Sequence, residues 1–156
     1  MKIVDELLCR LCRPPRVLIL DESDSVEAVL NQNYDCVVDK VTTGDEAVNM
    51  LLSNKYDLIY LNLDMLNGTG ASVLKQTSEI FPNIPIVATT KFSTDASNLL
   101  RSAPLLTLLY DQITCELVLR LFKTFKINVR TKETAQYCEI LERNCIQTST
   151  LAHAAW

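Results

Sequence analysis

Histidine and glycine are scarce in this chain of 156 residues, which has one histidine, His153, and three glycines. The scarcity of histidine disfavours hydrolases that pair a serine or cysteine nucleophile with a histidine base. No glycine-rich loop follows the first apolar run, where the acidic segment 21–25 would repel a nucleotide phosphate. We therefore expect neither a nucleotide-binding domain nor an enzyme, and we assign no catalytic residues.

Long hydrophobic runs and an excess of positive charge are also lacking. No apolar stretch approaches the ~20 residues needed to cross a bilayer. Charged residues between Asp5 and Arg13 interrupt the N-terminal segment, so no signal peptide is predicted. The formal net charge of -4 gives no electrostatic reason to expect nucleic acid or an anionic membrane as a partner. We expect a cytoplasmic protein.

The six cysteines fit a reducing compartment better than a disulfide framework, because no export signal is predicted. Cys9 and Cys12 have the spacing of half a zinc site, but no second pair with that spacing follows. Cys138 and Cys145 share a face of a predicted helix and are interpreted as small packing residues. We expect no structural metal.

Short apolar runs alternate with segments of helical periodicity along the chain. The runs are too continuous for strands with one exposed face, so they predict a parallel sheet covered by helices on both sides, a doubly wound α/β sandwich. The predicted strands are 17–20, 34–42, 58–61, 84–88 and 105–109. Four predicted helices span 2–12, 69–81, 93–101 and 131–145. Three more begin at the N-cap Ser23, at Thr43 and at the N-cap Thr114. The helix that begins at Thr43 has Leu51 and Leu52 in its predicted buried stripe.

The chain divides into one domain and three appended segments. An amphipathic helix occupies 1–13 and stops at two prolines, which cannot continue a helix. The sheet domain spans 14–127, a further helix spans 128–147, and small and polar residues form a flexible tail at 148–156. We expect the two terminal helices to pair with each other, to cover the domain or to build a homodimer.

Polar side chains follow three of the predicted strands at the point where each strand ends. The first strand ends on Asp21 and Glu22, the third on Asn62 and the fourth on Thr90. Because the carboxyl ends of parallel strands lie at one edge of the sheet, we expect these residues to surround one crevice, where ligands bind in folds of this type.

The order and spacing of several motifs resemble the receiver domain of two-component response regulators. The resemblance covers about 16–125 and implies a flavodoxin-like fold and signalling proteins as partners. It rests on the apolar run ending in Asp21-Glu22, on Thr43-Gly44-Asp45-Glu46-Ala47, on Tyr56-Asp57-Leu58-Ile59, on Gly70, and on Pro85-Ile86-Val87 before Thr90.

The resemblance also implies roles for the residues of the crevice. Asp21 and Glu22 take the place of the acidic pair that holds Mg²⁺, and Thr90 takes the place of the hydroxyl that contacts the phosphoryl group. In the family a glycine lies eight residues beyond the phosphorylated aspartate, and Gly70 has that spacing from Asn62. The position of the phosphoacceptor is therefore Asn62.

Two departures from the family pattern predict a degenerate receiver, or pseudo-receiver. The amide of Asn62 is neutral and its lone pair is delocalised, so it cannot form an acyl phosphate. The change also removes one anionic ligand of Mg²⁺, so we expect weak Mg²⁺ binding by Asp21 and Glu22 at most. The family lysine at the end of the fifth strand is missing as well, because its position falls on Asp111 or on one of the leucines before it.

Asp64, two residues beyond Asn62, is the alternative phosphoacceptor. Strand alternation places it on the same side as Asn62 but about two residue rises of ~3.3 Å further out. Its simplest interpretation is a solvated loop carboxylate, and that of Thr90 is a hydrogen-bond partner of the loop backbone.

With a non-functional phosphorylation site, we expect function to lie in surfaces. The main prediction is a phosphorylation-independent interaction or dimerisation module in signal transduction. The alternatives are an active phosphorelay receiver phosphorylated at Asp64 and a structural dimerisation domain of a larger transcriptional regulator. The resemblance implies an interaction face within 93–126, with candidate exposed apolar residues Leu99, Leu100, Leu105, Leu106, Tyr110 and Leu119.

Overall fold

The computed structural model describes residues 13–65, 69–91, 101, 106–109, 114–137, 139–140 and 143. Its helices are α1 (Ser25–Asn33), α2 (Gly44–Ser53), α3 (Thr69–Ile80) and α4 (Cys115–Thr124). Residues 132–137 are also helical. Its strands are β1 (Arg16–Leu20), β2 (Tyr34–Asp35), β3 (Val37–Val41), β4 (Leu58–Asn62), β5 (Ile86–Thr89), β6 (Leu106–Leu109) and β7 (Arg130–Thr131).

Five of these strands form one parallel sheet in the order β3-β1-β4-β5-β6. Strand β4 lies between β1 and β5, with Leu61 beside Leu20 and Asn62 beside Thr89. Alternate residues of β1 enter opposite clusters of the core, Leu18 with the residues of α2 and α3, and Ile19 with those of α1 and α4. The predicted doubly wound, five-stranded sheet is confirmed.

Two of the three predicted helix starts are confirmed by their caps. The hydroxyl of Thr43 accepts from the Glu46 N–H and that of Thr114 from the Leu117 N–H, both at 3.3 Å, which satisfies a free amide in the first turn. The prediction for Ser23 was wrong, because Asp24 occupies the N-cap position of α1.

The prediction that Leu52 is buried was also wrong, since it is 65% exposed and the buried residues of α2 are Ala47 and Leu51. Successive helical residues lie about 100° apart, so the apolar stripe of α2 ends between two adjacent leucines.

The predicted strand 34–42 is divided in the structure. Tyr34 and Asp35 leave the main sheet and pair antiparallel with Arg130 and Thr131. The Arg130 Nη2 atom donates to Asp35 Oδ2 at 2.8 Å, with both side chains about three-quarters buried. This ribbon attaches the segment after α4 to the domain, and it displaces the start of the predicted helix 131–145.

The structure tests the cysteine and membrane predictions only for the residues that it describes. Cys36 is half-buried and Cys115 is exposed, and both are free thiols. Burial raises the pKa of Cys36 to about 11. None of the described helices has the length and apolar character to span a membrane. Cys9, Cys12, Cys138, Cys145 and the predicted helix 2–12 lie outside the described residues.

Candidate functional site at the carboxyl edge of the sheet

The carboxyl ends of the three central strands bring the predicted polar residues together. Asp21 follows β1, Asn62 ends β4, and Thr90 follows β5. Asp21 and Thr90 are almost fully buried, at 3% and 6% exposure, while Asn62 is half-buried. Because β4 lies between β1 and β5, Asn62 stands at the centre of the crevice.

The amide of Asn62 makes a direct hydrogen bond to Asp21. Its Nδ2 atom donates to Asp21 Oδ1 at 3.0 Å, and the Ser23 N–H donates to the same oxygen at 3.1 Å. The other end of the amide is also engaged, since Asn62 Oδ1 accepts from the Asp64 N–H at 3.0 Å. The orientation of the amide follows from its partners, because a carboxylate only accepts and a backbone N–H only donates.

Asp64 lies in the crevice with its carboxylate held by two donors. Its Oδ1 atom accepts from the Thr90 hydroxyl at 2.8 Å, and its Oδ2 atom accepts from the Lys91 N–H at 2.6 Å. The interpretation of Asp64 as a solvated loop carboxylate was therefore wrong. The hydroxyl of Thr90 donates to a side chain, and hydrogen bonds to a carboxylate are among the stronger ones in proteins.

Gly70 allows α3 to pack directly against the end of β4. A Cβ atom at this position would lie 2.8 Å from the Asn62 carbonyl oxygen and 2.9 Å from Leu63 Cα. Both atoms belong to the backbone and cannot rotate away. The preference for glycine at position 70, eight residues beyond Asn62, thus has a steric cause in this structure.

A lysine that the sequence analysis missed lies at the mouth of the crevice. Lys40 of β3 forms an ion pair with Asp24, and its Nζ atom also donates to the Glu22 carbonyl oxygen at 3.5 Å. The hydrogen bond to Asp24 raises the pKa of Lys40, and the charge of Asp21 adds to the effect. The register of β3 beside β1, with Lys40 opposite Ile19, brings this cation to the crevice.

The described residues do not assemble a ligand set that fits Mg²⁺. Hard dications need several anionic or carbonyl oxygens directed at one point. Here Asn62 directs an N–H at Asp21, its oxygen is engaged by Asp64, and Glu22 is exposed. Within the described ranges, no group of three or more histidine, cysteine or acidic side chains is arranged for a metal.

Two of the remaining predicted site residues, Leu106 and Leu119, lie on β6 and α4. Leu106 is half-buried on β6, and Leu119 is 36% exposed on α4. Leu99, Leu100, Leu105, Tyr110 and Asp111 lie outside the described residues.

Residues 17–102 match the family model described as the response regulator receiver domain. The match covers more than half of the chain. The chain belongs to this family. The predicted membership is thus confirmed, and receiver domains are signalling modules.

This receiver domain is similar to a fungal transcription factor and to two solved bacterial structures. Transcription factor SKN7 of Chaetomium thermophilum is 31% identical over 83 residues, which cover 50% of this chain and 11% of that protein. A two-component response regulator from Clostridium difficile has 25% identity and a TM-score of 0.61, over 72% of this chain and 95% of that one. Response regulator TrrA of Thermotoga maritima, solved in complex with Mg(2+)-BeF, has 19% identity and a TM-score of 0.58, over 71% of this chain and 98% of that one.

Proposed function

We propose that this receiver domain is degenerate and acts as a phosphorylation-independent protein-interaction module. The hydrogen bond from Asn62 Nδ2 to Asp21 Oδ1 carries the proposal. A phosphoacceptor in this place would need an anionic oxygen free for in-line attack. The chain instead presents an amide, with its nitrogen committed to Asp21 and its oxygen to Asp64.

The same contact supports weak Mg²⁺ binding at most. An aspartate at position 62 beside Asp21 would need a cation between the two carboxylates, whereas the Asn62 N–H satisfies Asp21 without one. The proposed vestigial pocket therefore consists of Asp21 and Glu22, with Asn62 at the phosphoacceptor position and Thr90 at the position of the phosphoryl contact.

The proposed partners are signalling proteins or a second copy of the chain, bound through the β6–α4 face. Leu119 supports this placement. It is an exposed apolar residue of α4, although Val118 and Phe122 on the same helix are buried. In keeping with the sequence predictions, we propose a cytoplasmic, non-enzymatic role without direct contact to nucleic acid or membrane.

Asp64 supports a second candidate function, that of an active receiver phosphorylated at this residue. Its carboxylate lies in the crevice, 2.8 Å from the hydroxyl of Thr90. We favour the degenerate form, because both oxygens of Asp64 already accept hydrogen bonds.

The relative in Chaetomium thermophilum supports a third candidate, a structural dimerisation domain within a larger transcriptional regulator. That relative is a transcription factor, and the chain spans about a tenth of its length.

Incubation with acetyl phosphate and Mg²⁺, followed by intact-mass measurement, separates the first two functions. We expect no phosphoryl adduct on the parent chain. An adduct on the parent that disappears in Asp64→Asn but persists in the exposed control Asp45→Asn would establish the active receiver instead.

Sedimentation of the full chain and of Leu119→Arg tests the proposed face. A matched control is Leu52→Arg, which changes an exposed leucine on the opposite side of the sheet. We expect only Leu119→Arg to reduce self-association. A monomeric parent would exclude homodimerisation through this face, and equal effects of both variants would exclude its specificity.

A further inference from the structure

Two hydrogen-bond donors converge on Asp64 from the end of β5. The Thr90 hydroxyl approaches one carboxylate oxygen and the Lys91 N–H approaches the other, at 2.8 and 2.6 Å. We call this pair of donors the Thr90–Lys91 corner. A hydroxyl and an amide directed at the two oxygens of one carboxylate form a small oxyanion site, and the chain fills it with its own side chain.

We infer that Asp64 is a built-in ligand of the crevice. Its carboxylate closes the Thr90–Lys91 corner to external oxyanions and fixes residue 64, just beyond β4, to the end of β5. This inference deepens the proposed function and rests on that function for its biological meaning. The contact of Asp64 with Thr90 and Lys91 is what would keep the receiver in one state. The inference does not depend on Asn62 being unreactive, so each idea can fail alone.

Asp64 belongs to a continuous series of hydrogen bonds across three strand ends. The Ser23 N–H and the Asn62 amide donate to Asp21, and the Asp64 N–H donates back to Asn62. The Asp64 side chain then accepts from Thr90 and Lys91. Asp64 therefore joins β4 to β5 in the same way that Asn62 joins β4 to β1.

Removal of the Asp64 carboxylate carries a cost in free energy. Thr90 is 6% exposed, so water does not replace the carboxylate of Asp64 with a full hydration shell around the hydroxyl. A hydrogen bond to a charged acceptor contributes more than one to a neutral group, so an apolar side chain at position 64 does not compensate for the loss. An oxyanion of similar size is thus the natural replacement for the missing carboxylate.

The Thr90–Lys91 corner is also connected to β6. The Thr90 N–H donates to the Leu109 carbonyl oxygen at 3.1 Å, and Leu109 ends β6. The residue that binds Asp64 through its side chain is therefore anchored to β6 through its backbone. The built-in ligand holds β4, β5 and β6 in one arrangement.

The test compares the full-length parent with Asp64→Ala and with the control Glu79→Gln, which removes an exposed carboxylate on α3. Hydrogen exchange of the Lys91 amide is followed by NMR. We expect exchange in Asp64→Ala to be on the order of tenfold faster than in the parent, with no change in Glu79→Gln. Equal exchange in parent and Asp64→Ala would overturn the inference.

Added acetate or inorganic phosphate, with sodium chloride at equal ionic strength as the reference, provides the second readout. We expect both anions to produce saturable shifts at Thr90 and Lys91 in Asp64→Ala and none in the parent. Shifts in the parent, or none in the variant, would contradict a corner closed by Asp64. If Asp64→Ala does not fold, Asp64→Asn serves instead, because its amide keeps one acceptor and directs an N–H at the other donor.

These results are distinguishable from failure of the proposed function. A phosphoryl adduct on Asn62→Asp that forms faster in the double variant with Asp64→Ala would support the built-in ligand. Equal rates in the single and double variants would oppose it. An adduct on the parent would instead remove the proposed function, whatever the anion titrations show.

Discussion

Replacing Asn62 by aspartate would convert a hydrogen bond into a contact between two carboxylates. Asn62 Nδ2 now lies 3.0 Å from Asp21 Oδ1, and an aspartate oxygen would take its place. Asp21 is 3% exposed, so water cannot fully screen the new charge. We expect Asn62→Asp to unfold more readily than the parent at neutral pH.

The size of the effect has an upper and a lower bound. Two unit charges about 3 Å apart repel by roughly 5 kcal/mol at an effective dielectric constant of about 20. Protonating one carboxyl at pH 7 limits the cost to about 4 kcal/mol, since an ordinary aspartate has a pKa of about 3.9. Loss of the Asn62 donor alone costs about 1–3 kcal/mol. The expected loss in free energy of unfolding is thus about 2–4 kcal/mol.

Urea unfolding at several pH values tests how the loss of stability in Asn62→Asp depends on pH. Repulsion raises the pKa of the carboxylate pair in the folded variant, so the penalty is fully present above that raised pKa. It should disappear as the pH falls to about 4, where both the folded and the unfolded chain take up the proton. Millimolar Mg²⁺ should restore part of the loss at pH 7, because two adjacent carboxylates bind a hard dication.

A matched control is Asn49→Asp, which introduces the same charge at an exposed position of α2 and should change stability by no more than about 0.5 kcal/mol. Equal stability of Asn62→Asp and the parent at pH 7 would refute the reasoning. So would a loss that does not depend on pH.

Three further predictions concern other positions. Gly70→Ala should lower the free energy of unfolding by about 1–3 kcal/mol in urea, because its Cβ would lie 2.8 Å from the Asn62 carbonyl oxygen; an unchanged midpoint would contradict that contact. Thr77→Val should raise the melting temperature by a few degrees, about 1 kcal/mol, since the buried Thr77 hydroxyl has no hydrogen-bond partner; Thr77→Ser, which keeps the hydroxyl, should not. Burial and the hydrogen bond to Asp39 raise the pKa of Tyr56 to about 12, so stability should fall as the pH rises from 10 to 12 because only the unfolded chain releases the proton. Tyr56→Phe should flatten this alkaline loss in urea titrations, and an identical slope would contradict it.

The sheet and the membership of the crevice could be predicted because both depend on local patterns. Apolar runs such as 17–20 predict buried strands without knowledge of their neighbours, and parallel pairing places their carboxyl ends at one edge. The placement of Asp21, Asn62 and Thr90 around one crevice follows from that rule alone. The caps Thr43 and Thr114 follow from side-chain chemistry within three residues.

The contacts of Asp64 could not be predicted in the same way. Its side-chain direction depends on the turn in which its own N–H donates to Asn62, and on Thr90, which is 26 residues away. Strand alternation does not extend into such a loop. Since the sequence analysis treated Asp64 as a continuation of the strand, it predicted a solvated carboxylate.

The β2–β7 ribbon is unpredictable for a different reason. Its strands contain two residues each, too few for a periodic signal, and they pair across 95 residues of sequence through Arg130 and Asp35. The position of Lys40 at the crevice depends likewise on the register between β3 and β1. Contacts between distant segments decide both features, and a single sequence does not display them.

Independence from a phosphoryl group is the property of this receiver domain on which the proposed function depends. Its most direct test is a ¹H–¹⁵N NMR titration of the parent chain with Mg²⁺ and beryllofluoride, the ligands named with the TrrA structure. We expect no saturable shifts at the amides of Asn62, Asp64, Thr90 and Lys91. Saturable shifts at these amides, absent with Mg²⁺ alone, would show that the crevice still accepts a phosphoryl group and would contradict a phosphorylation-independent function.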